Sequence, residues 1–312
     1  MTLARAIELA RNAQGRAYPK PTVGAVLVAD GEVVAEGVTE PGGRHAERVA
    51  IDTAGSKARG ATLYATLEPC AHHGTTPPCI DAILEAGVDR VVFGAYDPNP
   101  EAAGGAAVLR ERGVDVEFVD SFEARVLNEA WRTWVTKRRP FVIYKAATTL
   151  DGRTTVPGER WVSGEQSRRA VHELRAQVDA VAVGGGTARA DRPGLDAREV
   201  ETPKGQPRRL VFSRGPLPDG LDLELRTGPL EDELRALAEE GVQSLLLEGG
   251  ATLASSFLEA DLVDKLVLFV APTLAGAGPG LVTALPSPRT LSRLRASAVG
   301  EDVLLEAYVH EH

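Results

Sequence analysis

The sequence contains very little cysteine and no long apolar segment. Its 312 residues include two cysteines and one methionine, and aromatic residues make up 5%. Two cysteines are too few for a disulfide framework, which favours a reducing cytoplasm. No apolar run reaches the roughly 20 residues that a membrane-spanning helix needs. The residues from Met1 to Arg5 begin an amphipathic helix without a signal-peptide pattern. We therefore expect a cytoplasmic protein with no membrane partner.

Excess positive charge is also missing. The formal net charge is −9, and the sequence shows no basic stripe of the kind that a nucleic-acid-binding surface carries. The short basic runs, Lys137 to Arg139 and Arg208 to Arg209, are more typical of solvated surface. The composition therefore argues against nucleic acid, including transfer RNA, as a partner. The hydrophobic fraction of 43% is sufficient for full cores, and the length allows two domains of ordinary size.

Both cysteines lie in one segment of the chain, behind a His-x-Glu pair. The pair is His45 and Glu47, and Cys70 and Cys79 each follow a proline. Zinc binds nitrogen and thiolate ligands tetrahedrally, and a catalytic zinc keeps one position open for water. One imidazole and two thiolates supply three ligands, which leaves Glu47 to carry a proton, as in zinc-dependent base deaminases. We predict a Zn²⁺ site formed by His45, Cys70 and Cys79, with Glu47 as the catalytic residue.

The His-x-Glu pair needs a helix start, because positions i and i+2 do not face each other on a regular helix. Pro41-Gly42-Gly43 precedes the pair, and the helical run from Val49 to Ile51 follows it. These residues predict a helix that begins at the pair. The alternative is two buried structural cysteines beside a solvated helix start.

Strands and helices alternate through the first half of the chain. An amphipathic helix comes first, and Asp30-Gly31 then predicts a hairpin turn between two strands. The helix of the metal segment follows. Further strands are predicted at 61–67, 91–94 and 116–119, with helices at 79–86, 106–112 and 121–136 between and after them.

Asp97 and Asn99 follow the strand predicted at 91–94. Open α/β sheets bind ligands beyond the carboxyl ends of their strands, so these two side chains are candidates for substrate binding. A local Asx turn before proline is the alternative, and the residues alone do not separate the two.

A charged segment that ends in proline, Lys137 to Pro140, separates the two halves. Proline disfavours helix in the residue before it, so we place a domain boundary here, between residues 1–138 and 139–312. The second half begins with a strand at 141–145. Ser163 to Gln166 has a capping-box pattern, which predicts a helix that continues to about Gln177.

Glycines follow two further strands of the second half. The strand at 180–183 ends in Gly184 to Thr187, and the strand at 244–248 is followed by Gly249-Gly250 and a helix at 251–260. Glycine lets the backbone approach a phosphate, and a helix N-terminus favours an anion. An ordinary connection is the alternative for the first turn. No dinucleotide fingerprint with an acidic ribose partner is present, so a Rossmann domain is not indicated.

The motifs of both halves resemble the bifunctional deaminase-reductase family of riboflavin biosynthesis. In the first half the resemblance rests on Thr66 to Cys70, on the eight residues between Cys70 and Cys79, and on Asp97 to Pro100. In the second half it rests on Lys145 to Gly152, Trp161, Arg168 to Ala176, Val183 to Pro193, Arg198, Leu247 to Gly250, Leu262 to Asp264 and Ala271-Pro272. Together the two halves cover nearly the full length.

The resemblance implies an α/β protein with a cytidine-deaminase-like α/β/α domain before a dihydrofolate-reductase-like α/β domain. The first domain would hydrolytically deaminate 2,5-diamino-6-ribosylamino-4(3H)-pyrimidinone 5′-phosphate, a small phosphorylated pyrimidine. The second would use NADPH to reduce the ribosyl group to a ribityl chain. We also expect a homo-oligomer.

The resemblance also assigns roles to residues of this sequence. For binding of the deaminase substrate it implies Asp97 and Asn99, and we add Lys20 because its ammonium group can reach a phosphate. For the NADPH cofactor it implies Thr148, Trp161, Thr187 and Asp191, and the glycine turn before the helix at 251–260 adds Gly249 and Gly250. For the reductase substrate it implies Arg175, Leu195, Arg198 and Glu248. Arginines suit a substrate phosphate because they make charge-assisted contacts, and a surface salt bridge is the alternative for each.

Several positions depart from the family's usual residues, while the metal set is intact. Lys20 stands where Asn is usual, Val38 where His is frequent, and Thr75 where Lys or Arg is frequent. In the reductase half the departures are Arg192, Asp196 and Ser213-Arg214. Two alternatives therefore stay open. One is the same architecture acting on a different aminopyrimidine or pterin-like substrate, and the other is a reductase with an inactive, zinc-stabilised deaminase domain.

Overall fold

A computed structural model describes residues 2–72 and 77–311 of the chain. The chain divides into two compact units, one that extends to Thr136 and one that covers Lys137–Glu311. No helix within the described ranges is long and apolar enough to cross a membrane. Each unit is built on its own β-sheet with helices packed against it.

The first unit contains a five-stranded sheet with the order β2-β1-β3-β4-β5. Its strands are β1 (Gly24–Ala29), β2 (Glu32–Val38), β3 (Thr62–Ala65), β4 (Arg90–Phe93) and β5 (Asp115–Phe118). β1 is antiparallel to β2 and β3, whereas β3, β4 and β5 are parallel. Asp30 and Gly31 connect β1 to β2 with positive φ angles of 51° and 81°, as the predicted hairpin turn requires.

Helices of the first unit surround a core of fully buried side chains that includes Leu27, Leu63, Ile83 and Leu109. They are α1 (Thr2–Asn12), α2 (Ala46–Ala54), α3 (Cys79–Ala86), α4 (Gly105–Glu111), α5 (Phe122–Val126) and α6 (Glu129–Lys137). The prediction of one continuous helix from Ser121 to about Thr136 was wrong, because the chain is interrupted between α5 and α6.

Asn128 accounts for this interruption. Its Oδ1 accepts the backbone N–H of Thr22 at 2.8 Å, and its Nδ2 donates to the carbonyl oxygen of Thr22 at 2.9 Å. The side chain is buried, so these two hydrogen bonds satisfy polar groups that water does not reach. Asn128 thereby fixes the segment that contains Lys20 to the end of α5.

The second unit contains an eight-stranded sheet with the order β12-β13-β11-β6-β10-β7-β8-β9. Its strands are β6 (Phe141–Thr149), β7 (Ala180–Gly184), β8 (Arg208–Phe212), β9 (Glu224–Arg226), β10 (Ser244–Leu247), β11 (Lys265–Ala271), β12 (Ser292–Val299) and β13 (Asp302–Tyr308). The sequence did not predict β9 and β12. β9 has three residues, and the inner residues of β12 are exposed, so neither has an apolar alternation.

Helices of the second unit are α7 (Glu165–Gln177), α8 (Gly185–Asp191), α9 (Leu230–Glu239) and α10 (Ala251–Glu259). The predicted capping box at the start of α7 was wrong, because Gly164 is the N-cap and has no side chain to cap with. Asp302 of the β12–β13 hairpin performs this function. Its Oδ2 accepts the N–H of Gly164 at 2.8 Å and the hydroxyl of Ser167 at 2.5 Å.

Parallel pairing determines where functional residues of the second unit meet. β6, β10 and β7 are neighbours and run in the same direction. Their carboxyl ends therefore share one edge of the sheet, as in other open α/β sheets. This edge holds Thr148, the Glu248 to Gly250 turn and the start of α8.

Candidate active sites

The helix start predicted for the His-x-Glu pair is present. His45 is the N-cap of α2 with extended backbone angles (φ −75°, ψ 148°), and Glu47 lies in the first turn. Gly42 and Gly43 come just before it with φ angles of 90° and 93°, a region that favours glycine. Glu47 is only 3% exposed. The helix start therefore buries a carboxyl group two residues from the imidazole.

The two cysteines meet this imidazole from other elements. Cys70 follows β3, and Cys79 is the first residue of α3. The Nδ1 atom of His45 lies 3.1 Å from Sγ of Cys79 and 3.5 Å from Sγ of Cys70. Tetrahedral zinc with ordinary bond lengths holds nitrogen and sulfur ligands about 3.6 Å apart. The three ligand atoms all lie within 4.8 Å of one another, so this donor set fits zinc.

Hydrogen bonds prepare Cys70 to act as a thiolate. The hydrogen bond from Cys79 lowers the pKa of the Cys70 thiol, and His45 adds a second hydrogen bond. As the donor of this pair, Cys79 has a raised pKa. The backbone N–H of Cys79 also donates to Sγ of Cys70 at 3.3 Å, at the start of α3. Thiolate is the form of cysteine that binds metals.

Glu47 is placed to hold a proton beside these ligands. Burial raises the pKa of its carboxyl group, and the charge of His45 opposes the rise in part. A buried carboxylate with a raised pKa takes up a proton more readily than an exposed one. The local geometry thus suits a proton carrier.

A cavity of about 400 Å³ opens beside this cluster, a volume ordinary for small-molecule sites. Six predicted residues line it: Lys20, His45, Glu47, Cys70, Asp97 and Asn99. Further lining residues that the sequence analysis missed include Glu68, His72, Trp131 and Trp134. A signal for the tryptophans existed, because two of the three in the chain are spaced by three residues on a predicted helix.

The Asp97–Asn99 segment is both a local turn and a wall of this cavity. Oδ1 of Asp97 accepts the N–H of Asn99 at 2.8 Å, and Oδ1 of Asn99 accepts the N–H of Glu101 at 3.2 Å. Glu68 anchors the segment by accepting the N–H of Asp97 at 3.3 Å. Burial raises the pKa of Asp97 to about 6. The two interpretations of these residues are therefore compatible.

The three departures in the deaminase half differ in position. Lys20 lines the cavity. Its Nζ would lie only 2.2 Å from a Cβ atom added at Gly43, so the ammonium group packs against this glycine. Val38 ends β2 and is not among the described residues that line the cavity. Thr75 lies outside the described residues.

In the second unit, Arg175 and Glu248 form a largely buried ion pair, with side chains that are 12% and 10% exposed. Nε and Nη2 of Arg175 donate to the two carboxylate oxygens of Glu248 at 2.6 and 3.1 Å. Lys145 Nζ lies 3.5 Å from Oε2 of Glu248. Burial raises the pKa of Glu248, but the charges of Lys145 and Arg175 lower it by more than burial raises it. The pKa of Glu248 is therefore below its ordinary value. The sequence analysis missed Lys145, although a lysine within an apolar strand was a signal.

Leu195 and Arg198 lie in a loop beside this ion pair. Arg175 connects the ion pair to this loop, because its Nη1 donates to the carbonyl oxygen of Asp196 at 3.1 Å. Leu195 is 1% exposed and has a φ angle of 57°. The side chain of Arg198 is exposed, with its Nε 3.8 Å from the Asp196 carboxylate. Of the four predicted substrate residues, Arg175, Glu248 and Leu195 therefore lie together on the ion pair and the loop that it holds. The fourth, Arg198, is exposed on the same loop.

Two glycine turns at the same sheet edge fit the phosphates of a nucleotide cofactor. Gly184 and Gly250 are the N-caps of α8 and α10, and neither helix has a side-chain cap. The first N–H groups of these helices are therefore available to an anion. Oγ1 of Thr187 lies 3.6 Å from the position of a Cβ on Gly250, which brings the two turns together. Gly249 precedes Gly250 in this turn.

The other predicted cofactor residues lie on separate elements. Thr148 is buried near the end of β6, and Asp191 is the exposed last residue of α8. Trp161 is 56% exposed. The guanidinium carbons of Arg160 and Arg168 lie 5.0 and 5.4 Å from its ring centroid, within the range of cation–π contacts. The expected role of Trp161 at the cofactor rests on the resemblance alone.

Comparison with known proteins decides the family. Residues 140–305 match the RibD C-terminal domain, and residues 1–95 match the cytidine and deoxycytidylate deaminase zinc-binding region. The riboflavin biosynthesis protein RibD of Aquifex aeolicus is 36% identical and aligns over 96% of this chain and 95% of its own. The chain belongs to the RibD family.

Other relatives show the same extent of similarity. RibD of Mycobacterium tuberculosis (strain ATCC 25618 / H37Rv) is 39% identical over 96% of this chain and 94% of its own. The crystal structure of a Thermotoga maritima diaminohydroxyphosphoribosylaminopyrimidine deaminase/5-amino-6-(5-phosphoribosylamino)uracil reductase is 36% identical. It has a TM-score of 0.85 over 98% of this chain and 97% of that chain. The Acinetobacter baumannii RibD structure (form 1) has a TM-score of 0.86, 33% identity and the same coverage.

Membership of the family confirms the expected fold and the bifunctional activity. The protein combines a zinc-binding deaminase domain with a reductase domain of riboflavin biosynthesis. The expected cofactors, Zn²⁺ and NADPH, are those of these two domains. Which residues perform each step is a separate question.

Proposed function

We propose that His45, Cys70 and Cys79 hold the zinc ion of the deaminase domain, because their donor atoms converge at distances close to those of a tetrahedral shell. This convergence is the single observation that carries the proposal for the first site. When bound, zinc supplies a Lewis acid that lowers the pKa of water to about 7. Three protein ligands leave one coordination position for that water. This distinguishes a catalytic zinc site from a structural one, in which four protein ligands fill the shell.

Glu47 is the proton carrier of the deamination in this proposal. Its buried carboxylate removes a proton from water, and the water oxygen bonds to the ring carbon that carries the amino group. Glu47 then delivers the proton to that amino group, the C–N bond breaks, ammonia leaves and a carbonyl remains on the ring. Asp97, Asn99 and Lys20 contact the pyrimidine nucleotide, because all three line the cavity that His45, Glu47 and Cys70 also line.

The Arg175–Glu248–Lys145 cluster orients the reductase substrate. Arg175 fixes both Glu248 and the loop that contains Leu195, while the exposed guanidinium of Arg198 is available to a phosphate. The cofactor lies against Thr148, Trp161, Thr187, Asp191, Gly249 and Gly250. When bound, NADPH supplies the hydride that converts the ribosyl group to a ribityl chain. The uncapped glycine turns support its phosphates at this edge.

The substrate that we propose is the small phosphorylated pyrimidine after which the Thermotoga maritima enzyme is named. Deamination yields 5-amino-6-(5-phosphoribosylamino)uracil, which the second domain then reduces. We further propose that the domains are residues 1–138 and 139–312, and that a fragment from residue 139 folds and binds NADPH. A homo-oligomer, a cytoplasmic location and the lack of a nucleic-acid partner remain predictions.

Product analysis of the purified protein tests these assignments. With the diaminopyrimidine substrate alone, we expect release of ammonia and the mass change that replaces an amino group by a carbonyl oxygen. With NADPH added, the product should gain two further hydrogen atoms. Elemental analysis should find one zinc per chain, and Cys79→Ser should lose it. Deamination by a zinc-free protein would overturn the first assignment, and reduction without NADPH would overturn the second.

A further inference from the structure

Helix α7 carries two side chains that reach the same loop. His172 and Arg175 are three positions apart, so they share a helix face. Arg175 donates to the carbonyl oxygen of Asp196 at 3.1 Å. Nδ1 of His172 accepts the backbone N–H of Arg198 at 3.2 Å. The loop is therefore held at two points, and each contact involves a polar group of its backbone.

The contact with Arg198 defines the state of the imidazole ring. An Nδ1 atom that accepts a hydrogen bond carries no proton, so the neutral ring is protonated at Nε2. The carbonyl oxygen of Asp196 also lies 3.2 Å from Nδ1 and accepts a hydrogen bond from Arg175, but only a protonated Nδ1 could donate to it, and such a nitrogen could not accept the N–H of Arg198. Burial and the charges of Arg175 and Arg198 lower the pKa of His172, while Asp196 opposes them. These groups favour the neutral ring that the geometry requires.

The loop depends on such contacts because its backbone is unfavourable at Leu195. A φ angle of 57° lies in the left-handed region, where a residue with a branched side chain is uncommon. The leucine side chain is nevertheless buried at 1% exposure. Packing therefore fixes one end of the loop, and His172 fixes the other end at Arg198.

We propose that His172 is a positioning residue for the reductase reaction. Its Nδ1 holds the backbone of Arg198, so that the loop from Leu195 to Arg198 presents its side chains to the phosphorylated substrate. This proposal rests on the substrate role of the loop given under the proposed function. His172 acts through Arg198 and transfers no proton.

Three variants distinguish the effect of the acceptor atom of His172 from the effect of the volume of its ring. His172→Leu keeps bulk and His172→Ala removes it, and both lack an acceptor. His172→Asn places its Oδ1 close to the position of Nδ1 and retains the acceptor. We expect the Leu and Ala variants to raise the reductase KM for 5-amino-6-(5-phosphoribosylamino)uracil about tenfold, with kcat changed less than about twofold. The Asn variant should stay within about twofold of the parent KM.

Two further measurements on the full chain distinguish positioning from a general loss of structure. The deaminase activity of the same samples and the Kd for NADPH should stay at parent values in all three variants. Hydrogen exchange at the Arg198 amide should accelerate in the Leu and Ala variants and not in the Asn variant, which is independent of activity.

Equal increases of KM in the Leu and Asn variants would overturn the proposal, as would unchanged KM and unchanged exchange at Arg198 in the Leu variant. If the Leu variant does not fold, the comparison of Ala with Asn decides. A parent protein that reduces no substrate with NADPH would contradict the proposed function of the domain. In that case the exchange data still decide whether the Nδ1 of His172 holds the loop.

Discussion

Arg139 and Asp264 form a two-point ion pair in which Nη1 lies 2.6 Å from Oδ2 and Nη2 lies 2.7 Å from Oδ1. The Asp264 side chain is fully buried, and its Oδ2 also accepts the N–H of Val142 at 2.9 Å. Arg139 directly precedes the proline at the predicted domain boundary. The pair thus fastens the beginning of the second unit to the connection between α10 and β11.

Removal of this carboxylate should destabilise the second unit strongly. Asp264→Ala leaves the guanidinium of Arg139 and the N–H of Val142 without their partner, and loss of one member of a buried pair costs about 3–5 kcal/mol. Differential scanning calorimetry of the full chain should show a melting temperature lower by about 10 °C. Asp232→Ala is the matched control, because it breaks an exposed pair with Arg235. A similar shift in both variants would contradict the role of the buried pair.

The charge of Glu248 should matter for reduction and for acid stability. Glu248→Gln leaves Arg175 and Lys145 without their counter-charge, so we expect the reductase KM to rise at least about tenfold while deamination is unchanged. Because the folded pKa lies below the ordinary 4.5, the ionised group stabilises the fold above that pH. This stabilisation is lost as the pH falls through the lowered value.

The acid dependence of Glu248 can be measured by thermal unfolding. The difference in melting temperature between the parent and Glu248→Gln should be constant at neutral pH and should shrink below pH 4.5. Glu259→Gln, an exposed residue of α10, serves as the control and should show no such difference. A Glu248→Gln difference that grows towards acid pH would contradict the lowered pKa.

Asp97 should show the opposite pH dependence, because burial raises its pKa from 3.8 to about 6. A carboxyl group with a raised folded pKa costs stability above that pKa, and the cost disappears as the pH falls towards 3.8. We therefore expect Asp97→Asn to be more stable than the parent by about 1–2 kcal/mol at pH 8, allowing for solvent screening. This gain in stability should shrink as the pH falls towards 5. The deaminase activity of Asp97→Asn should be lower than that of the parent. Asp89→Asn at an exposed position is the control, and a pH-independent difference would disprove the assignment.

The contact between Lys20 and Gly43 gives a test of the altered deaminase pocket. A Cβ at Gly43 would lie 2.2 Å from Nζ of Lys20, whereas nothing lies within 4 Å of one at Gly42. Both glycines have a positive φ, so Gly42→Ala is a control for backbone strain. We expect Gly43→Ala to lower deaminase kcat/KM further than Gly42→Ala does, by about tenfold, and Lys20→Asn to remove this difference. Equal effects of the two glycine variants would show that Lys20 plays no part.

The three departures of the deaminase half can be reversed together, and of these Lys20 is the one that lines the described cavity. Lys20→Asn, Val38→His and Thr75→Lys together restore the usual residues. If the altered residues weaken recognition, the triple variant should deaminate the family substrate better than the parent, by up to about a hundredfold for two restored hydrogen bonds. A parent that already works at full efficiency and a triple variant that is worse would make these positions ordinary variation.

The sequence predicted the metal cluster because its ligands are close in the chain and chemically distinctive. The strands predicted at 91–94, 180–183 and 244–248 also agree with β4, β7 and β10 to about one residue at each end. The two wrong helix predictions have a common physical cause, which is a partner that is distant in sequence. The interruption at Asn128 depends on Thr22, and the cap of α7 depends on Asp302. Neither partner can be inferred from local propensity.

Burial and charge pairing were the other quantities that the sequence did not supply. Lys145 belongs to the reductase cluster only because β6 and β10 are parallel neighbours, which brings it to Glu248. Glu68 and Trp131 line the deaminase cavity although neither lies close to Asp97 in the chain. A pattern along one chain indicates which face of an element is apolar, but not which element it will contact.

Two separate catalytic sites in one chain should respond independently to substitution, and Glu47→Gln is the decisive variant. Gln has the same shape and cannot carry the proton. Ammonia release from the diaminopyrimidine substrate should therefore fall at least about a hundredfold. The measurement is product mass from the zinc-loaded variant, supplied separately with the amino substrate and, in the presence of NADPH, with 5-amino-6-(5-phosphoribosylamino)uracil. We predict that zinc stays bound, that the first substrate is unchanged and that the second is reduced at the parent rate. Loss of both activities together would contradict two separate sites, and retention of ammonia release would contradict the role of Glu47 as the proton carrier.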